Sequence, residues 1–215
     1  MTRPDHLVLV AGTATEVGKT WVSCRLADAL VTSGTTVAAR KAAQSFEPDD
    51  PTTDAVELAA ATRADPHEVC PAHRWYPVPM APPMAAEALH LPPFELAHVL
   101  DELRWPDPAV AVGLFETAGG VASPQTTDAD VVGVAEALSP DLVLLVADPG
   151  LGTISNVRLC CDALGLLDAP VMVFLNRFDA GVDLHVRNHS WLVDRDGYDV
   201  VTSLAELIPR FSPAQ

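Results

Sequence analysis

Residues 7–20, LVLVAGTATEVGKT, decide the fold. Leu7 to Ala11 is a continuous apolar run of strand length stopped by Gly12, and from Val22 to Leu30 apolar residues return at helical spacing until Gly34 ends the pattern. Between the two lies Gly12-Thr-Ala-Thr-Glu-Val-Gly18-Lys19-Thr20. A loop that leaves a strand and opens a helix aims the helix's free N–H groups at whatever sits above it, and an anion suits them. The pattern is a variant of G-x-x-x-x-G-K-[ST], with Thr13 in the first-glycine slot and Gly12 one residue earlier. A chance Gly-Lys-Thr is the competing reading, and the strand before it and the helix after it weigh against chance. In the phosphate-binding reading Gly18 lets the backbone approach the anion, Lys19 places charge between phosphates, and Thr20 offers a hydroxyl to Mg2+.

Outward from this loop, Thr36 to Ala39 reads as a strand leading into Lys41, and a short helix starts at Thr53-Asp54 and runs through Ala61. Residues 64–93 are dense in Pro and predict an extended loop with one short helix near Met84–Leu89. Helical period returns over Phe94–Leu103, and Ala109–Phe115 is a buried-type strand ending at Glu116. Loop Thr117–Thr127, a helix near Asp130–Leu138, a strand Asp141–Ala147, a helix from about Ile154 to Leu166 and a strand Val171–Leu175 delivering Asn176 follow. Asp183–Arg195 predicts a helix and Asp199–Val201 a last strand. Strands apolar on both faces, alternating with helices, indicate an α/β fold: a mostly parallel sheet with helices on both faces, a P-loop NTPase-like, Rossmann-like three-layer architecture. Ligands then belong at the carboxyl ends of the strands. The 215 residues fit one domain, 1–215, with no space for a second catalytic domain.

Thirteen basic against 29 acidic residues give a net charge of −16, which repels nucleic acid and anionic membrane and excludes both as expected partners. Apolar residues at 49% supply a core. No run is long and apolar enough to span a bilayer and no leader pattern opens the chain, so the expected location is the cytoplasm. Cys24, Cys70, Cys160 and Cys161 show no C-x-x-C spacing and read as reduced, small apolar residues. Lys19 and Lys41 are the only lysines among 11 arginines, positions where a compact ammonium serves and a planar fork does not. Mg2+ held with ATP wants one or two carboxylates, and Asp54 after the second strand and Glu116 at a strand end are the candidates. For Asp54 a helix-cap role competes.

Four further segments, in order, give a resemblance. Gly12–Thr20 resembles the G-T-x-T-x-V-G-K-T loop of the dethiobiotin synthetase family. Lys41-Ala-Ala-Gln44-Ser45 is similar to its K-P-V-x-[ST] segment, Tyr76–Glu87 to its Pro-rich substrate loop, Glu116-Thr-Ala-Gly119-Gly120 to E-G-A-G-G, and Leu151-Gly152-Thr153 to its L-G-T/C-x-N turn. The resemblance implies an ATP-dependent ring closure in which a diamine, 7,8-diaminononanoate, takes up CO2 (from bicarbonate) as a carbamate. ATP phosphorylates the carbamate, and the second amine closes a cyclic urea as phosphate leaves. It implies catalytic roles for Lys41, Lys19 and Thr15, and hydrogen bonding to substrate by Ser45. Nucleotide contacts fall to Glu16, Val17, Gly18, Lys19, Thr20, Trp21, Asp54, Glu116, Thr117, Ala118, Gly119 and Asn176. Mg2+ falls to Thr20, Asp54 and Glu116, and a homodimer presents Leu151, Gly152 and Thr153 to the substrate carboxylate of the neighbouring subunit.

The chain departs from that pattern in places. Ala42 replaces Pro, Phe46 replaces Gly, Thr117 replaces the Gly after the motif glutamate, and Ser155 stands at the family's Asn. Arg177 replaces the Asp of the base-reading pair that begins at Asn176, and residues 201–207 carry no G-x-I-P loop. Two rivals share the P-loop: a carboxylate-activating amide synthetase acting on another substrate, and a non-catalytic nucleotide-binding switch. His185 and His189, four apart, have no evident third zinc ligand and read as packed or solvated, and Trp75, Trp105 and Trp191 read as packing residues.

Overall fold

The computed structural model describes residues 2–49 and 52–211. Its strands are β1 (His6–Gly12), β2 (Val37–Lys41), β3 (Gln44–Ser45), β4 (Trp75–Tyr76), β5 (Val112–Glu116), β6 (Leu142–Ala147), β7 (Val171–Leu175) and β8 (Asp199–Val201). Its α-helices are α1 (Lys19–Thr32), α2 (Asp54–Thr62), α3 (Pro66–Val69), α4 (Pro82–Ala88), α5 (Leu96–Glu102), α6 (Val131–Leu138), α7 (Thr153–Leu164), α8 (Asp183–Asp194) and α9 (Leu204–Leu207). Six strands pair in parallel in the order β2-β5-β1-β6-β7-β8, so the first strand lies inside the sheet and the second at its edge.

The sequence dictates this arrangement through burial. Each of β1, β2, β5, β6 and β7 is buried almost end to end, which only a sheet covered on both faces allows. Alternate residues of β1 serve opposite cores: Val8 and Val10 pack with Val22, Leu26 and Leu30 of α1, while Leu7 and Leu9 pack with Val131, Val134, Val157 and Leu164 from α6 and α7. Parallel pairing brings the carboxyl ends of β1, β2, β5, β6 and β7 to one rim, and the loop before α1 sits there.

The Pro-rich region is more ordered than an extended loop. Residues 64–93 hold α3, a 3-10 turn at Ala72–Arg74, β4 and α4, and β4 pairs with β3 as a separate two-stranded sheet. The physical reason is local: Asp65 caps α3 through the His67 N–H, prolines take the first turns of α3 and α4, and Arg74 anchors the segment. Arg74 is buried, makes two hydrogen bonds to Glu102 of α5 at 2.7 and 3.0 Å, and stacks on Phe94 at 4.1 Å. The chain also forms α9, capped by Ser203, after β8, where the sequence pattern predicts no helix.

All four cysteines are free. Burial pushes the thiols of Cys70 and Cys161 up to about 12. Both are therefore expected to resist a disulfide reagent at mildly alkaline pH and to react fully once the chain is unfolded, as counted by thiolate release. Arg74→Met leaves Glu102 with His73 as its partner and removes both guanidinium bonds and the stack on Phe94, and a melting curve should show a loss of about 2 kcal/mol.

Candidate active site

The loop before α1 is held open by backbone geometry. Gly18, at φ 92, caps α1, and a Cβ there would lie 2.1 Å from Asn176 Nδ2, so only glycine fits. Asn176, at the end of β7, donates that amide to the Val17 carbonyl at 2.9 Å, and Arg177 reaches the Glu16 carbonyl at 3.2 Å. Lys19 Nζ donates to the carbonyls of Ala14 at 3.2 Å and Gly119 at 2.8 Å, bridging the loop to the one after β5. Burial, reinforced by the positive charge of Lys41, lowers Lys19 to about 8.

Below the loop, four elements converge on one ionic cluster. Lys41, the last residue of β2, lies 2.8 Å from Asp54 Oδ2 and 2.9 Å from Glu116 Oε1. Thr20 Oγ1 is 2.9 Å from a carboxylate oxygen of each acid, and Ser23 donates to the second oxygen of Glu116 at 2.8 Å. Burial opposes the charge of Lys41, but Asp54 and Glu116 override it and hold the ammonium above the ordinary lysine range. Reciprocally, the Lys41 charge, against burial and helped by the Thr20 hydroxyl, keeps Asp54 below the usual carboxylate range. A hydroxyl and two carboxylates facing one another form a hard, all-oxygen donor set, and that chemistry fits Mg2+.

A cavity of about 280 Å3 above this cluster is lined by Thr15, Glu16, Gly18, Lys19, Thr20, Lys41, Ser45, Asp54, Ala118 and Gly119. Most of the residues singled out from the sequence thus meet in one place, with Glu116 directly beneath. Val17 is buried under the loop, and Trp21 is half exposed with Arg25 over its ring at 5.8 Å. Ser45 spends its hydroxyl on the Met80 carbonyl, tying the β3 strand to the Pro-rich segment. Thr117 is turned away from the cavity: its hydroxyl donates to the Val10 carbonyl at 3.0 Å, so the side chain that replaces glycine points into the sheet. Phe46 packs edge-on against Trp75. Leu151, Gly152 and Thr153 stand apart from the cavity, at the turn that opens α7.

Three supporting residues escaped the sequence reading. Ser23 lies one turn beyond Thr20 on the same face of α1, a spacing that was there to be seen. Gln44 accepts from the Ala55 N–H and donates to Thr53 Oγ1, which fixes the start of α2 and hence Asp54. Gln125 brackets Ala118 through its N–H and its carbonyl, which no local pattern announces. Of the two histidines, His185 accepts from the Asp179 N–H, and both rings pack on Phe178.

A loop of this kind between the central strand and its helix, on a parallel sheet, defines a P-loop nucleoside-triphosphate-binding α/β protein. A family model described as an AAA domain matches residues 6–189. Among solved structures, a plasmid partition protein of Borrelia burgdorferi, bound to AMPPNP, superposes with a TM-score of 0.54 at 12% identity over 99% of this chain and 93% of its own, a likeness of fold. Among curated proteins, the ATP-dependent dethiobiotin synthetase BioD of Rhodococcus erythropolis is 37% identical over 74% of this chain and 69% of its own length. That of Streptomyces coelicolor is 33% identical over 97% and 87%. The chain belongs to the dethiobiotin synthetase family.

Gly119 has φ 67, and an added Cβ would fall 2.5 Å from Ser123 Oγ. Gly119→Ala should shift the carbonyl that holds Lys19, lower the melting temperature and weaken nucleotide binding by about tenfold, measured by titration calorimetry.

Proposed function

We propose that the chain converts 7,8-diaminononanoate, CO2 and ATP to dethiobiotin, ADP and phosphate, the ligase step of biotin synthesis that its relatives' name describes. The observation that carries this reading is the placement of both lysines of the chain, 19 and 41, in one small cavity with Thr15, Thr20, Ser45 and Asp54. In the reaction, one amine attacks CO2 and loses a proton to give a carbamate. A carbamate oxygen attacks the γ-phosphorus, the bond to the β-phosphate oxygen breaks, and ADP departs. The second amine then attacks the carbonyl carbon and expels phosphate, closing the ring.

Each residue has a task in that sequence. The N–H groups of Glu16 to Thr20 and the Lys19 ammonium hold the phosphates, since fixed donors in a dry site stabilise the charge that builds on the transferring group. Lys41, already screened from water, holds the carbamate oxygens against the γ-phosphate. Thr15 orients the carbamate, and Ser45 anchors the substrate side of the cavity. Thr20, Asp54 and Glu116 are the residues assigned to Mg2+, which when bound neutralises phosphate charge. Asn176 both braces the loop and borders the base position, with Trp21, Ala118 and Gly119 forming the remaining walls and Thr117 contributing backbone alone.

The substrate carboxylate is assigned to the turn Leu151-Gly152-Thr153 of a second subunit. Two features support this homodimer. Thr153 Oγ1 is the buried side-chain polar atom left without a hydrogen-bond partner among the described residues, at the start of a twelve-residue helix. Leu151, Leu159 and Leu166, along α7 and its ends, are 94%, 67% and 81% exposed. Residues 1–215 are read as one domain acting in the cytoplasm, and no helix among the described residues is long and apolar enough to cross a membrane.

The test is phosphate release with ATP, Mg2+ and bicarbonate, with and without the diamine, with dethiobiotin sought by mass. Diamine-dependent release with product is expected, and its absence from a nucleotide-binding preparation would overturn the reading. Lys41→Ala should abolish turnover and keep nucleotide binding, because Lys19 and the loop amides remain. Leu159→Asp combined with Leu166→Asp should give a monomer by sedimentation and raise KM for the diamine.

A further inference from the structure

Residues Arg40 and Lys41 are consecutive on the edge strand β2 and so face opposite sides of the sheet. Lys41 enters the ionic cluster, and Arg40 enters a second cavity of about 370 Å3, which Lys41 also borders, at the open edge of β2, between α3, α5 and residues 103–106. The Arg40 side chain belongs to a residue only 8% exposed. Its Nε donates to the Arg104 carbonyl at 2.6 Å and one terminal nitrogen to the Ala39 carbonyl at 2.7 Å. The other N–H groups of the fork are spent on no protein group among the described residues, and no carboxylate there pairs with it within 4.0 Å.

A buried guanidinium without a paired counter-ion is costly, and its surroundings offset that cost only in part. Two carboxylates reach the cavity. Glu102 is engaged by Arg74 and His73, and Glu68 sits on the exposed side of α3 and acts on Arg40 only through space. The Arg104 guanidinium also lines the opening, without a carboxylate partner among the described residues. Opposite these charges the wall is apolar: Val99, Leu103, Phe115 and the Trp105 ring, which lies 5.4 Å from the Arg40 guanidinium. Trp105 is fixed from behind, because Gly113 of β5 leaves the space that it and Pro4 fill.

We propose that this cavity is a second ligand site, taking a small organic monocarboxylate whose head pairs with Arg40 and whose hydrocarbon body lies against Trp105. A planar fork matches a carboxylate in two bonds, and the apolar wall rewards a chain that a bare inorganic anion lacks. The site borders the catalytic cavity, since Lys41 lines both, but it shares none of the phosphate-loop residues, and Arg40, which carries it, has no part in the reaction assigned above.

The experiment is titration of the 15N-labelled protein with hexanoate, followed through the indole N–H signals of the tryptophans, with Trp105 assigned by Trp105→Phe. A saturable shift of the Trp105 signal is expected, with hexanamide and inorganic phosphate each binding at least about tenfold more weakly. Arg40→Gln should remove the shift while the signals of Trp21 and Trp191 stay in place. If that variant does not fold, Leu103→Phe, which narrows the cavity and leaves Arg40 intact, decides: lost binding supports the site and unchanged binding overturns it. A wild-type titration that leaves Trp105 unmoved, moves only Trp21 beside the phosphate loop, or proceeds equally well with hexanamide overturns it, as does binding that survives Arg40→Gln.

Discussion

The rest of the site depends on Lys41 lying between Asp54 and Glu116, 2.8 and 2.9 Å away. That contact joins β2, α2 and β5, and the Thr20 hydroxyl adds α1. Removing Lys41 would leave the buried Glu116 carboxylate without its paired cation, which costs more than the pair gains in forming. With Lys19 close by, two ammonium groups face two carboxylates, so the cluster is close to neutral before any ligand arrives. The same groups are therefore able to receive a divalent cation and a polyanion together without a large change in local charge.

The phosphate loop is stiffened from two sides by contacts that owe nothing to a ligand. Lys19 ties it to the Gly119 carbonyl after β5, and Asn176 and Arg177 tie it to the end of β7 through the carbonyls of Val17 and Glu16. Glu16 has φ 62, a left-handed conformation uncommon for a side-chain-bearing residue, and the Arg177 contact to its carbonyl helps hold it there. A loop fixed in this way offers its N–H groups without an ordering cost at the moment of binding, which is the condition for electrostatic stabilisation. Arg177, at the position where the family has Asp, has found a structural task on the loop itself.

The sheet was legible because its inner strands are apolar on both faces: β7 begins and ends where the pattern places it, as does the short, partly exposed edge strand β8, and the others agree within a few residues. The site was legible because its residues sit in short motifs at strand ends, and Lys19, Lys41, Thr20, Asp54 and Glu116 do converge. Residues 64–93 resisted because their elements are too short for any period to show, and are set by caps and by the long-range Arg74–Glu102 pair. Partners were the other blind spot. Nothing local says that the Ser45 hydroxyl goes to Met80, that Thr117 turns into the sheet, or that Gln125 brackets Ala118.

The position of β2 explains why two cations can follow one another in a buried strand. An inner strand has neighbours on both sides, so a long charged side chain there would meet only packed apolar surface. At the edge, alternation sends Lys41 toward Asp54 of α2 and Glu116 at the end of β5, and Arg40 around the open side, where the Arg104 and Ala39 carbonyls accept its hydrogen bonds. The bond to Arg104 also pulls the segment before β5 across the exposed edge, and α3 and α5 close over the remainder. An edge that would otherwise template pairing with another chain is thus covered by Arg40 and the segments around it. Covering it leaves a charged, apolar-walled cavity as the geometric residue of fitting a large guanidinium beside Trp105.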